Sequence, residues 1–261
     1  MDFKIGLAGR TVGVTSIYNE VYELCRDYIV TAENEDFHVT TSEDDIDFER
    51  VKSIREAIYE GIEPVDYEKP YCETLAVYRK IAVELLKYDT WLMHGAVVGV
   101  KLDSVAEDSG QAVLFTAQSG VGKTTHMKLW LENIPGALVV NGDKPLIRYI
   151  SDKSCDANFV GERCDVCGTP WAGKEGFQTN EIMPLKAICF LERGDTNLIE
   201  RVRFEEVYPM LIQQTYRPTD PQAMEKTMKL ILKLGKTIPF YRMKCTMNPE
   251  AARVAYEAIF A

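Results

Sequence analysis

No apolar run in the chain approaches the roughly 20 residues that a bilayer-spanning helix requires. Basic residues are the minority, 30 lysines and arginines against 40 acidic residues, so the formal net charge is −10. That balance argues against a general nucleic-acid or anionic-membrane surface. The seven cysteines are odd in number and supply a single Cys-x-x-Cys, Cys164 to Cys167, with no second pair at zinc spacing and no helix opening on it. Two ordinary cysteines in a strand is the reading that follows. The opening Met1-Asp2-Phe3-Lys4-Ile5 lacks the charged-then-apolar layout of a secretion signal. A reduced, cytoplasmic setting is therefore expected. Internal repeats and low-complexity segments are also missing. What remains is an ordinary globular composition, 261 residues with 46% hydrophobic content, enough to bury one sizeable core.

The most informative stretch is Gln111-Ala112-Val113-Leu114-Phe115-Thr116-Ala117-Gln118-Ser119-Gly120-Val121-Gly122-Lys123-Thr124-Thr125, an apolar strand running into a phosphate-binding loop. Its backbone N–H groups must turn inward around phosphate oxygens, which asks for small residues at Gly120 and Gly122. Ser119, Gly120, Val121, Gly122, Lys123, Thr124 and Thr125 are the expected nucleotide contacts. Lys123 brings a point charge to the β- and γ-phosphates, Thr124 a hydroxyl to Mg²⁺, and the helix from Thr125 to about Glu132 its positive end. Ala117 stands where the motif has its first glycine, so the turn there must keep φ negative.

Periodicity predicts short strands at Phe3 to Leu7 and Thr11 to Thr15, a helix through Val21, Leu24, Cys25, Tyr28 and Ile29, and a strand at Phe37 to Thr41. The acidic stretch Glu33 to Asp47 reads as a solvated surface. Helices are predicted over Phe48 to Tyr59, with a break at Gly61 and Pro64, and over Cys72 to Tyr88, where Leu75, Tyr78, Ile81, Ala82 and Leu85 form a core stripe. Beyond Trp91 the pattern turns to strands. Trp91 to Val100 and Gln111 to Thr116 are separated by the polar connection 101–110, short enough for a hairpin. Further strands are expected at Ala137 to Val140, Pro145 to Ile150, Leu185 to Leu191 and Phe240 to Thr246. Helices are expected near Phe204 to Gln214, Pro221 to Leu234 and Pro249 to Phe260. The domain division is placed at 66/67, with a small N-terminal α/β region over 1–66 and the nucleotide-binding core over 67–261.

Three further segments lie where metal-assisted phosphoryl transfer would need them. Asp143, in Val139-Val140-Asn141-Gly142-Asp143, ends an apolar strand and can hold Mg²⁺ or accept a proton, or it is the aspartate of an Asn-Gly-Asp hairpin turn. His94, in Met93-His94-Gly95-Ala96, is either a hydrogen-bonded core residue or a ligand. Lys174, in Gly168-Thr169-Pro170-Trp171-Ala172-Gly173-Lys174-Glu175-Gly176-Phe177, sits in a loop that could carry a cation onto the transferred phosphate, or in a surface loop anchored by its tryptophan.

The ordered set Met93-His94-Gly95, Val113-Leu114-Phe115, Ser119 to Thr125 and Gly142-Asp143 resembles the core of the HPr kinase/phosphorylase and ATP-dependent phosphoenolpyruvate carboxykinase superfamily. The segment Thr169 to Lys174 is similar to one in small HPr-kinase-like proteins. The resemblance implies an α/β fold whose core is carboxykinase-like with a mixed sheet. It also implies that Ser119 to Lys123 bind phosphates, that Thr124 and Asp143 hold the metal, and that His94 sits at the metal or phosphate. Where that family has two adjacent aspartates, this chain has Gly142-Asp143. The length and the lack of an oxaloacetate-binding arginine set or a Glu-x-Arg-Gly signature turn the expectation from decarboxylation and HPr phosphorylation toward another hydroxyl. The expected function is an ATP- and Mg²⁺-dependent kinase with Asp143, Lys123 and Lys174 as its catalytic residues, acting on a small alcohol or a peptide serine. The rival readings are a non-catalytic nucleotide-binding regulatory protein and an ATPase of the general parallel-sheet type. No nucleic-acid or membrane partner is expected.

Overall fold

The computed structural model describes residues 1–101, 110–118, 120–151 and 161–260. The predicted connection 101–110, apart from its two ends, and Ser119 lie outside the described residues. Two compact units emerge, Met1–Leu85 and Leu86–Ala261.

In the first unit, β1 (Asp2–Leu7) and β2 (Arg10–Thr15) form an antiparallel hairpin. Its two-residue turn has both Ala8 and Gly9 at positive φ, the geometry that matches strand twist. The predicted helix through Ile29 breaks into α1 (Asn19–Leu24) and a 3-10 turn, Arg26–Tyr28, because Ile29 is drawn into a bridge with Ile5. Val21, Cys25 and Tyr28 are still buried, so the apolar spacing was meaningful even though the helix is shorter. Strand β3 (Phe37–Thr40) adds parallel to β2. Helix α2 (Glu43–Glu60) starts earlier than its apolar residues suggest, since Ser42 and Asp45 close a capping box, and it ends at Gly61 in the left-handed region. Asp45 is not simply solvated, as it pairs with Arg79 at 3.1 Å and Lys80 at 2.7 Å.

Helix α3 (Lys69–Leu85) packs on α1, α2 and β3. That packing is why the unit boundary falls after Leu85 and not at 66/67: α3 carries the apolar face that the three-stranded sheet needs. Its one buried carboxylate, Glu73, accepts hydrogen bonds from the Ile17 and Tyr18 amides, both at 2.7 Å, and from the Thr41 hydroxyl. The predicted extension to Tyr88 is a separate 3-10 turn, Leu86–Tyr88.

The second unit is built on a nine-stranded mixed sheet. The segment expected as one strand from Trp91 to Val100 is two, β4 (Thr90–Leu92) and β5 (Ala96–Val100), which pair with different neighbours. Strand β5 runs antiparallel to β6 (Gln111–Thr116), the hairpin geometry expected and unlike a sheet of parallel neighbours only. After β6 come α4 (Lys123–Asn133) and β7 (Ala137–Asn141), which returns to the free side of β5. Strands β8 (Leu146–Ser151) and β9 (Glu162–Cys167) pair antiparallel, and β4 joins β8.

The long strand β10 (Ile182–Arg193) binds the halves together. Its first residues pair antiparallel with β9 and its middle runs parallel to β6. Its end runs parallel to β12 (Phe240–Cys245), which is edged by β11 (Leu198–Val202). Helices α5 (Phe204–Gln214), α6 (Pro221–Thr237) and α7 (Glu250–Phe260) complete the unit. Alternation along β6 sorts the core into two faces. Ala112 and Leu114 meet residues of α5 and α6, while Val113 and Phe115 meet α4 and α7. Both faces of the central strands are thus covered by helices. Among the described residues no helix is long and apolar enough to cross a membrane.

Candidate functional site

Strand β6 ends at Thr116, and the chain turns through Ala117 and Gln118 toward α4. Ala117 makes the turn without a positive φ, as its side chain requires, and is buried. Gly120 and Gly122 have φ of +78° and +121°, conformations that side-chain-bearing residues rarely adopt, and a Cβ on either would meet nothing within 4 Å. Open space therefore lies over the loop. Helix α4 begins at Lys123 with Gly122 as its N-cap, no side-chain cap and no acidic residue in its first turn. Among the described residues its first amides thus meet no side-chain cap, and the positive end of the helix dipole faces the same space. Thr124 and Thr125 fall on that first turn.

Lys123 reaches back to the Ala117 carbonyl, Nζ to O 3.1 Å. Burial lowers its pKa below the ordinary lysine value, against the opposing charge of Asp143. Asp143 follows β7 in a turn built by Asn141, which is fully buried. The Asn141 Oδ1 accepts from the amides of Asp143 (2.9 Å) and Lys144 (2.7 Å), while Nδ2 donates to the Thr169 carbonyl and hydroxyl, both at 3.0 Å. One amide thereby fixes the aspartate's backbone and ties it to the segment that carries Lys174.

His94 lies in the break between β4 and β5, not within a strand. Its amide donates to the Gln214 carbonyl at 2.7 Å and its carbonyl accepts from the Thr116 hydroxyl at 2.9 Å, while the next amide, Gly95, donates to the Asp143 carbonyl at 2.9 Å. The ring spans two partners: Nε2 is 3.2 Å from Asp143 Oδ1, and Nδ1 is 2.9 Å from Gln214 Oε1. A protonated ring donates to both; a neutral ring donating to Asp143 needs the Gln214 amide turned with its NH₂ toward Nδ1. Burial works to raise the Asp143 pKa, but the hydrogen bond from His94 and the charges of Lys144, His94 and Lys123 outweigh it and leave the carboxyl below its ordinary value.

The segment around Lys174 is pinned at both ends. Gly142 N donates to Phe177 O and Thr179 N to Val140 O, and Trp171 and Ala172 are buried. Only the turn Gly173 to Gly176 is exposed, and Lys128 on α4 holds its Glu175 at 3.0 Å. Lys174 itself is exposed and makes no hydrogen bond or ion pair among the described residues, so the structure brings Lys123, His94 and Asp143 together but leaves Lys174 at the rim. A Cβ on Gly142 would lie 3.1 Å from Ala172 O and 3.3 Å from Phe177 O. A side chain at position 142 would thus crowd two carbonyl oxygens.

Cys164 and Cys167, three apart on β9, project to opposite faces. Both are buried, and burial pushes each thiol up to about 12. They cannot grip one metal ion.

Sequence reasoning missed three residues. Asn141 builds the turn, Gln214 holds the imidazole, and Arg193, at the end of β10, donates from Nη2 to the Gly120 carbonyl. The signal for Arg193 was its place two residues beyond the predicted apolar strand Leu185 to Leu191; for Gln214, 120 residues from His94, no local signal existed. A cavity of about 420 Å³ opens beside the loop at the ends of β6 and β10, bounded by α5.

No family model and no curated protein matches the chain.

Proposed function

We propose that the chain is an ATP- and Mg²⁺-dependent kinase of the HPr-kinase and phosphoenolpyruvate-carboxykinase type, with a carboxykinase-like core, transferring the γ-phosphoryl group to a hydroxyl. The observation that carries the reading is the convergence of Lys123, His94 and Asp143 at the mouth of a loop whose amides and open space suit phosphate. Lys123 and the amides of Gly120 to Lys123 neutralise and orient the phosphates. Among the described residues no three histidine, cysteine, aspartate or glutamate side chains gather as a metal site. Mg²⁺ does not require one, since it commonly takes one or two carboxylates with phosphate oxygens and water. Thr124, Asp143 and His94 are the side chains that would hold it, and when bound it supplies charge neutralisation at the phosphoryl oxygens. Asp143, kept ionised by its neighbours, is also the group positioned to accept the proton of an attacking hydroxyl. Lys174, on the exposed turn, reaches the transferred group from the rim.

One observation favours a second reading. Gly142 stands where the resembled superfamily has an aspartate, and a Cβ there would crowd two carbonyls, as expected for a nucleotide-binding regulatory protein that has lost catalysis. Measuring ADP release and nucleotide binding on the same samples separates the two. For the kinase, Lys123→Ala lowers turnover by at least about 100-fold with little change in thermal stability, because the half-buried side chain belongs to neither apolar cluster of the second unit. Turnover near the wild-type level in Lys123→Ala would remove the loop from the reaction; tight binding with no turnover in the wild type would favour the regulatory protein.

A further inference from the structure

Helix α2 has two apolar faces. The residues it buries, Ile46, Glu49 and Ala57, share the side that meets α3, where Glu49 holds Arg79 at 2.5 Å. On the opposite side Phe48, Val51, Ile58 and Tyr59 fall on one stripe at helical spacing, and all are exposed, Tyr59 at 93%. The bidentate pair of Arg50 with Asp66, 2.5 Å on each arm, brings the chain after Gly61 back along the helix, and Ile62 and Val65 are exposed there as well. Single apolar side chains on a surface need no explanation, but six between Phe48 and Val65 call for a cover.

The rim of this patch is acidic. From Glu43 to Glu68 the sequence has ten acidic residues against three basic ones. Asp44, Asp47, Glu56 and Glu63 are exposed, while two of the three basic residues are taken up locally, Arg50 by Asp66 and Lys52 by Glu49 at 3.4 Å. Two such patches repel one another, which disfavours pairing of α2 with its own copy.

Helix α6 carries the complement. It has four lysines, Lys226, Lys229, Lys233 and Lys236, spaced i, i+3, i+7 and i+10 along one side, and a single acidic residue, Glu225. Met228 and Leu232, one turn apart, are exposed beside them. Lys226 is committed to Asp89 at 2.5 Å. Lys229 meets Glu225 at 2.6 Å, but both side chains are 65% exposed, so the pair is weak and both charges remain available to a partner. Lys233 and Lys236 are exposed, Lys233 lying over the Tyr149 ring. The exceptions match too: Arg55 is the basic residue within the α2 stripe, and Glu225 the acidic one on α6.

We propose that the apolar face of α2 is covered by α6 of a second copy of the chain. One helix on one helix buries less than the roughly 1,600 Å² of a standard interface, so a two-fold dimer that makes the contact twice is the expected form. The pairing does not depend on the kinase reading.

The test is sedimentation equilibrium on the full chain. The wild type is expected to dimerise below about 100 µM, and raising NaCl from about 50 to 500 mM should weaken the dimer at least about tenfold. One variant carries Asp44→Lys, Asp47→Lys, Glu56→Lys and Glu63→Lys; the other carries Lys229→Glu, Lys233→Glu and Lys236→Glu. All seven positions are exposed, and circular dichroism checks that both variants fold. Each should be monomeric alone. Mixed, they should form a heterodimer, because the two altered faces suit each other and so do the two unaltered ones. Ile58→Ser with Tyr59→Ser, which leaves every charge in place, should weaken the wild-type dimer at least about tenfold. A monomeric wild type overturns the proposal, as does a dimer indifferent to both charge variants or a mixture that stays monomeric. A wild type that forms larger assemblies, rebuilt by mixing the two variants, would support the contact without the two-fold closure.

Discussion

Gly173 is seated directly on Asp143: a Cβ at position 173 would lie 3.1 Å from the aspartate's Cβ and 3.4 Å from its carboxyl carbon. The glycine also has φ +75°, so two requirements, backbone conformation and close approach, fall on the same residue. Gly173→Ala is expected to cost about 1 kcal/mol of stability through φ alone. It should also displace the Asp143 carboxyl, lowering ATP turnover about tenfold while leaving nucleotide affinity unchanged. Turnover equal to wild type would show that the contact does not position the carboxylate. Lys174 rides on the same turn, and Lys174→Ala should reduce kcat with little effect on nucleotide binding, the pattern of an interaction made in the transition state. A rise in nucleotide Kd matching the fall in kcat would contradict it.

Asp143→Asn keeps the shape of the side chain and removes its charge. The hypothesis that this carboxylate holds the metal and takes the proton predicts a loss of metal-dependent turnover of about a thousandfold or more, with metal-free nucleotide binding nearly unchanged. Activity within a few-fold of wild type sinks the assignment.

Asn141 satisfies five polar partners from a fully buried position. Asn141→Ala strands the Asp143 and Lys144 amides and should destabilise the second unit by about 2–4 kcal/mol, read as a lower urea midpoint by tryptophan fluorescence. Asn141→Asp should be no better, because a carboxylate would face the Thr169 carbonyl. An unshifted midpoint in both variants would mean that the turn holds without its amide.

The first unit should show an acid sensitivity to which Asp45 contributes. Burial favours the neutral form of Asp45, but hydrogen bonds from Lys80, Ser42 and Arg79 outweigh it and lower its pKa to about 2 from 3.8. A folded-state value below the unfolded one gives stability that is complete above about pH 4 and is lost as the pH falls through about 2. The contribution is at most about 2 kcal/mol at neutral pH. Asp45→Asn should make the decline between pH 4 and 2 shallower, and an identical acid profile in the variant would assign that decline elsewhere.

Much of this architecture was legible in the chain. Gln111 to Thr125 announced its strand, loop and helix because each has local rules, namely apolar alternation, glycine at positive φ and a helix start. The helices of residues 204–214 and 221–237 were equally plain from their apolar stripes. What failed were features decided by distant partners. The segment from Trp91 to Val100 is apolar throughout, so nothing in it marks His94 as the point where one strand leaves β8 and another joins β6. Strand β11 was invisible because Leu198-Ile199-Glu200-Arg201-Val202 is a polar edge strand with one face in solvent. The role of Gly142 could be read only once Ala172 and Phe177 were in place against it.

Strand β10 carries a consequence for how the chain acquires its structure. The strand that leads into the phosphate loop has its parallel partner about seventy residues downstream, and β10 in turn has one edge open until Phe240 to Cys245 arrives. The loop after β6 is therefore not set by local contacts alone during synthesis; β10, its parallel neighbour, is edged only by a strand from the last tenth of the sequence. A ribosome-stalled chain ending before residue 240 should show β6 and β10 exposed to chaperones and proteases, so the segment most recognisable in the sequence belongs to the portion of the fold that matures latest.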